Sequence, residues 1–171
     1  MTDAIRQIQM VYNPEEDRIL FRVNTNSSQQ FRFWFTRRYA ILVLKVLGEH
    51  FKKDPDVSLQ DTPEAKQAVQ EFKREQALSN ANFKEAFQEE SAEYPLGEDI
   101  PVAHKLSFNF KDNVLQLGVQ PKEGKGITLG INPDMNTSIT QLLMAAAKKG
   151  EWLLEGLSFT SMAPPTERVV N

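Results

Sequence analysis

Six side chains in the first quarter of the sequence are of types that bind rather than react: Arg18, Arg22, Arg32, Trp34, Arg37 and Arg38. Arg32 and Trp34 alternate with phenylalanines, so a strand would put both on one face. Arg18, Leu20 and Arg22 share a face of the segment before them, and Arg37 and Arg38 follow directly after. Arginine and tryptophan presented together on strands anchor partner proteins or stack on bases. Arg37 and Arg38 stand where a helix begins, the end that disfavours cations by a few tenths to about 1 kcal/mol. With the orphan amides there they would concentrate positive potential where a phosphate or a partner's carboxylate would sit. Internal ion pairs with Glu15, Glu16 or the acidic linker would satisfy the same charges. Another reading has Trp34 and Leu20 covered by helices from the middle of the chain and the arginines solvated.

Catalytic chemistry finds no constellation. The two histidines, His50 and His104, are far apart in sequence and show no H-x-x-x-H spacing. His50 falls in the last turn of a helix, where a cation is favoured, and His104 precedes a strand; both read as surface or boundary residues. There is no cysteine, which removes disulfides, thiolate nucleophiles and Cys-ligated metal sites. "EGKGIT" around Gly124, Lys125 and Gly126 lacks the phosphate-loop spacing and reads as a hairpin turn. No G-x-S-x-G elbow is present. Glu89, Glu90, Glu93, Glu98 and Asp99 lack the calcium-loop pattern and read as a solvated acidic linker. The expectation is a protein that is not an enzyme, with no metal and no cofactor.

The chain has 171 residues, 40% hydrophobic and 25% charged, which fits a globular protein with a core of its own. Its net charge of −3 counts against a protein that lives on a polyanion. The longest apolar run, Tyr39 to Leu44, is too short to span a bilayer, and "MTDAIRQIQM" has no signal-peptide core. A cytoplasmic protein that makes no membrane contact is expected.

The elements that position the six side chains come in two similar sets. Ile8, Met10, Tyr12; Ile19, Phe21, Val23; and Phe31, Phe33, Phe35 mark three alternating segments. Leu106, Phe108, Phe110; Leu115, Leu117, Val119; and Ile127, Leu129, Ile131 mark three more. Leu106 follows Ile8 by 98 positions, whereas Leu115 and Ile127 follow Ile19 and Phe31 by 96, a two-residue difference in the first turn. Period-two alternation between "NPEED", "NSSQ", "KDN" and "PKEGKG" predicts antiparallel meanders. A helix follows each: one from Thr36 to about His50, the other announced by "NPDMNTS" and closed by Lys148, Lys149 and a C′ glycine, Gly150.

The fold class predicted is therefore α+β: two pseudo-symmetric βββα units over residues 1–56 and 102–163. A helical insertion and acidic linker occupy 57–101, and a flexible tail 164–171. Asp61 or Thr62, Pro63 and Glu64 open the insertion's helix, with Ala65, Ala68, Val69 and Phe72 as its stripe. "LSNAN" breaks it, and Phe83, Ala86 and Phe87 begin a second stripe. "WLLEGLSFTS" would add a strand to the second unit. By the repeat register Gly118 takes the place of Arg22 and Gly130 that of Trp34, and a strand glycine marks close backbone approach.

At the level of architecture, a duplicated antiparallel sheet-plus-helix unit resembles the Whirly and PUR groups of single-stranded nucleic-acid binders. Their units generally have four strands, against three here, and neither group's diagnostic motif stands in this sequence. The function expected from the residues is a protein-interaction or assembly module, its partner another protein or a second copy of itself. The alternative is a single-stranded nucleic-acid binder using the Arg/Trp face.

Overall fold

The structure is a computed structural model that describes residues 5–53, 62–80 and 93–152. Strands β1 (Ile5–Asn13), β2 (Arg18–Thr25) and β3 (Gln30–Phe35) form one antiparallel sheet in that order. Met10, Phe21 and Phe33 stand side by side across it, as do Tyr12, Ile19 and Phe35. Asn13 accepts from the amides of Glu15 and Glu16 at 2.9 and 3.0 Å, and Asp17 takes a positive φ of 51°, which closes the first turn. Helix α1 (Arg37–Lys52) follows, its cap Thr36 accepting from the Tyr39 amide at 3.2 Å.

Helix α2 (Pro63–Asn80) opens as the sequence predicts, with Thr62 Oγ1 accepting from the Ala65 amide at 3.1 Å. Its stripe is not buried: Phe72 is 65% exposed, and Ala68 is exposed as well. The second sheet is β4 (Lys105–Lys111), β5 (Val114–Gln120) and β6 (Ile127–Ile131), again antiparallel and in chain order. Asp112 and Asn113 make its first turn alone, with φ of 51° and 65°, the two-residue hairpin that matches strand twist. Asn132 caps helix α3 (Pro133–Lys149) by accepting from the Met135 amide at 2.8 Å.

The helices bind the sheets together. α1 touches β3 of the first sheet and β4 and β5 of the second, while α3 touches β6 of the second and β1 of the first. They lie against each other antiparallel: Arg37, at the start of α1, reaches Trp152 beyond the end of α3, and His50, near the end of α1, meets Asn136 in the first turns of α3. α2 lies along α3. One continuous core results, with Phe21, Phe33, Phe35, Val43, Leu47, Leu115, Ile131 and Leu143 almost wholly buried. Burial of each such side chain contributes about 1.5–3 kcal/mol. Phe35 stacks on Phe21 and tilts against Tyr39, both at 4.9 Å between centroids.

The acidic linker has a structural task. Residues 93–103 run parallel to β3 along its outer edge: the Gln30 amide donates to Glu93 O at 2.8 Å, that of Trp34 to Pro101 O at 2.9 Å, and that of Ala103 to Trp34 O at 2.9 Å. The edge strand's outward hydrogen bonds at Gln30 and Trp34 are thereby satisfied within the chain. Two local expectations change. Gly150 ends α3 at φ −82°, not in the left-handed region, and Glu151 takes the positive φ of 55° instead. His50 is 2% exposed and not at the surface. The expected strand in "WLLEGLSFTS", the stripe at Phe83, Ala86 and Phe87, and the tail at 164–171 lie outside the described residues.

Candidate functional site

The outer face of the first sheet is ordered in rows, because register aligns every second residue of three strands. Gln7, Asn24 and Gln30 form an amide row; Gln30 Nε2 donates to Asn24 Oδ1 at 2.9 Å and Asn24 Nδ2 to Gln7 Oε1 at 3.4 Å. Gln9, Arg22 and Arg32 form the next, with an Arg22 guanidinium N–H donating to Gln9 Oε1. Val11, Leu20 and Trp34 form an apolar row, and the linker extends it, because Val102 pairs beside Trp34. Its ends stand open: Val11 is 43% and Val102 36% exposed, with Leu20 and Trp34 half-buried between them.

Four of the six sequence-derived candidates meet on this face: Arg18, Arg22, Arg32 and Trp34. Arg22 is directly opposite Arg32, one row from Trp34. Arg18 pairs with Glu16 at 3.4 Å. Arg32 reaches across the linker, donating to the carbonyls of Gly97 at 3.1 Å and Glu98 at 2.6 Å, with its guanidinium 4.0 Å from the centroid of the Tyr94 ring. Arg37 turns elsewhere. Its Nε donates to the Trp152 carbonyl at 3.2 Å, at the negative end of α3, so its charge is offset by a second helix's dipole. Arg38 is exposed beside it. The face also holds residues that the sequence reading passed over. Val11 shares the parity of Gln7 and Gln9 and was readable; Tyr94 and Val102 arrive only through the linker's path.

Two polar clusters outside the face hold the helix ends. The Asp17 carboxylate accepts from the Tyr12 hydroxyl at 2.6 Å and from Trp152 Nε1 at 3.2 Å, and Tyr12 meets Trp152 edge-on at 6.0 Å. The hydrogen bond from Tyr12, then that from Trp152, holds the Asp17 carboxyl below its ordinary pKa, and the same bond to Asp17 raises that of Tyr12. At the other end Asn136 Nδ2 lies 2.8 Å from both Leu47 O and His50 Nδ1, and His50 Nε2 lies 3.0 Å from Asn113 O. An amide nitrogen only donates, so Nδ1 accepts and Nε2 carries the proton. Both ring nitrogens of His50 are thus engaged inside the fold, one by Asn136 and one by the Asn113 carbonyl.

The second sheet's outer face is mostly polar and carries no aromatic side chain among the described residues. Ser107, Asn109, Gln116, Gln120 and Thr128 are exposed around Gly118 and Gly130. Among the described residues no group of three or more acidic or histidine side chains is placed to hold a metal ion, and no helix is long and apolar enough to cross a membrane. No family model, no curated protein and no solved structure matches this chain.

Proposed function

We propose that the protein is a non-enzymatic interaction module that docks another protein on the outer face of its first sheet. The observation that carries this is the apolar row Val11–Leu20–Trp34–Val102, open at both ends and bordered by Arg22 and Arg32. A tryptophan flanked by aliphatic side chains and arginines is the composition that anchors protein interfaces. The arginines are held by Gln9 and by linker carbonyls, so the face is pre-organised and little side-chain freedom is lost on docking. A net charge of −3 suits a protein partner better than a polyanion, and a cytoplasmic setting belongs to the same reading. The test compares proteins co-purifying with the wild-type chain and with folded Val11→Asp and Trp34→Ala variants. A partner held by the wild type and lost from both variants supports the reading. Equal recovery, or turnover of a metabolite in an activity screen, overturns it.

The internal repeat belongs to the same reading: the two βββα units over 1–56 and 102–163 are copies of one unit, with 57–101 inserted between them. Three correspondences support it. β2 with β3 and β5 with β6 keep the same 96-residue offset through to the caps Thr36 and Asn132. Each unit's first hairpin grips the end of the other unit's helix: Tyr12 and Asp17 hold Trp152, while Phe110 stacks on His50 at 6.2 Å and Asn113 accepts from it. Each helix crosses to the other unit's sheet.

Arg22 and Arg32 in register beside Trp34 favour a second reading, single-stranded nucleic-acid binding on the same face. Anisotropy titration with a random oligonucleotide at low salt separates the two. No binding at protein concentrations on the order of tens of micromolar ends this second reading, since non-specific binders of DNA fall in that range.

A further inference from the structure

We propose that the outer edge of β6 pairs antiparallel with β6 of a second copy of this chain, joining two three-stranded sheets into one of six strands. The contrast between the two sheets points there. On β3 the outward backbone groups belong to Gln30, Arg32 and Trp34, and residues 93–103 pair with those of Gln30 and Trp34. β6 keeps the same register against β5 that β3 keeps against β2, so its outward groups belong to Thr128 and Gly130. Among the described residues nothing pairs with them.

The other edge strands carry the guards that deter pairing: Arg6 in β1, Lys105 and Lys111 in β4, Arg32 in β3. β6, "ITLGI", has no charge and no proline. Gly130 is not required by its own chain. A Cβ there would lie 3.6 Å from Gln116, an ordinary contact, whereas one at Gly118 would fall 2.1 Å from Ser107 Oγ. Glycine at 130 leaves the outward backbone bare for a second strand.

The occupant is a second copy because the edge is self-complementary. Antiparallel pairing about Leu129 sets Thr128 opposite the partner's Gly130 and Gly130 opposite its Thr128, so both pairs exchange backbone bonds and no side chains collide. The same register brings exposed Lys125 of each copy beside the start of α3 in the other, where exposed Asp134 stands. β4 paired with itself would instead set Lys105 against Lys111. The β6 edge is a different surface from the Trp34 row, and its dimer stands or falls independently of that row's partner.

Multi-angle light scattering of the full chain tests it across a concentration series. The expected result is a species of twice 19.5 kDa that dissociates on dilution. Thr128→Pro removes an outward N–H without touching the β5 pairing and is expected to leave a monomer with wild-type circular dichroism. Should that variant not fold, the charge swap decides. Lys125→Glu and Asp134→Lys each weaken the dimer several-fold, and the double variant restores it. A wild-type monomer at every concentration overturns the proposal. A dimer indifferent to Thr128→Pro, or to both single charge changes, overturns it equally.

Discussion

Asn136 donates to His50 Nδ1 at 2.8 Å across the α1–α3 interface, and to the Leu47 carbonyl at the same distance. Both residues are 2% exposed, so no water competes for these groups. Asn136→Ala leaves a buried carbonyl and a buried ring nitrogen without their donor, at about 1–3 kcal/mol for each orphaned group before relaxation. The expected result is a loss of about 2–3 kcal/mol, read as a lower urea midpoint at unchanged slope. Nitrogen-15 shifts of His50 at neutral pH will show the Nε2–H tautomer in the wild type. An Asn136→Ala midpoint equal to wild type would falsify the bridging role.

Gly150 lies under the Tyr12 ring, where a Cβ would fall 2.6 Å from Tyr12 Cε1 and 3.1 Å from Trp152 Nε1. That ring cannot retreat freely, because its hydroxyl is bonded to Asp17. Gly150→Ala should cost about 1–3 kcal/mol as overpacking. Gly118→Ala meets only the hydroxyl end of Ser107 and should cost less, and Ser107→Ala should relieve it. Thermal denaturation of Gly150→Ala, Gly118→Ala, Ser107→Ala and the Gly118→Ala/Ser107→Ala double variant forms the check. Equal losses at 118 and 150 would mean that backbone entropy, not crowding, makes these positions glycine.

Gly150 marks the boundary between what is local in the sequence and what is not. Strand parity and the two offsets of 98 and 96 were readable because side-chain alternation is local, and the observed registers carry it through all six strands. The helix caps at Thr36, Thr62 and Asn132 were readable for the same reason. Gly150 reads as a left-handed cap because the residue that needs its space, Tyr12, is far off in sequence. His50 reads as a surface cation because Asn113 and Asn136 are equally distant. The path of the linker was invisible: it pairs with β3 through backbone groups, which leave no alternation in an acidic, proline-bearing segment.

Asp17 gives the fold an acid limb. Its folded carboxyl titrates below the ordinary value, so its contribution is complete above the unfolded pKa of about 4 and fades as pH falls through the folded one. Tyr12 runs the other way. Its pKa is raised, so its contribution holds below about pH 10 and fades as pH climbs through the folded value. Tyr39, raised by burial and donating to Lys105 O at 2.9 Å, adds to that alkaline limb. Asp17→Asn should flatten the acid limb of midpoint against pH, and Tyr39→Phe the alkaline one. Superimposable acid limbs in wild type and Asp17→Asn would show that the Tyr12–Asp17–Trp152 contact contributes nothing to folding.

Arg32 fastens residues 93–103 to β3 through the carbonyls of Gly97 and Glu98 and through its stack on Tyr94. The backbone pairs at Gln30, Trp34 and Ala103 hold the two ends of that segment, and Arg32 holds its middle. Arg32→Ala should therefore loosen the segment locally by about 1–2 kcal/mol while leaving the core intact, since charge-assisted bonds at a partly exposed site are worth that much. Hydrogen–deuterium exchange across 94–103, and at the Trp34 amide that donates to Pro101, should quicken roughly ten-fold, with β1 and β5 unchanged. Arg32→Lys should not restore protection, because an ammonium cannot fork to two carbonyls and lie flat on a ring. Because the segment carries Val102, the same loosening should weaken whatever docks on the Val11–Leu20–Trp34–Val102 row. Unchanged exchange in Arg32→Ala would mean that the backbone pairs alone hold the segment, and Arg32 would then be free to serve a partner.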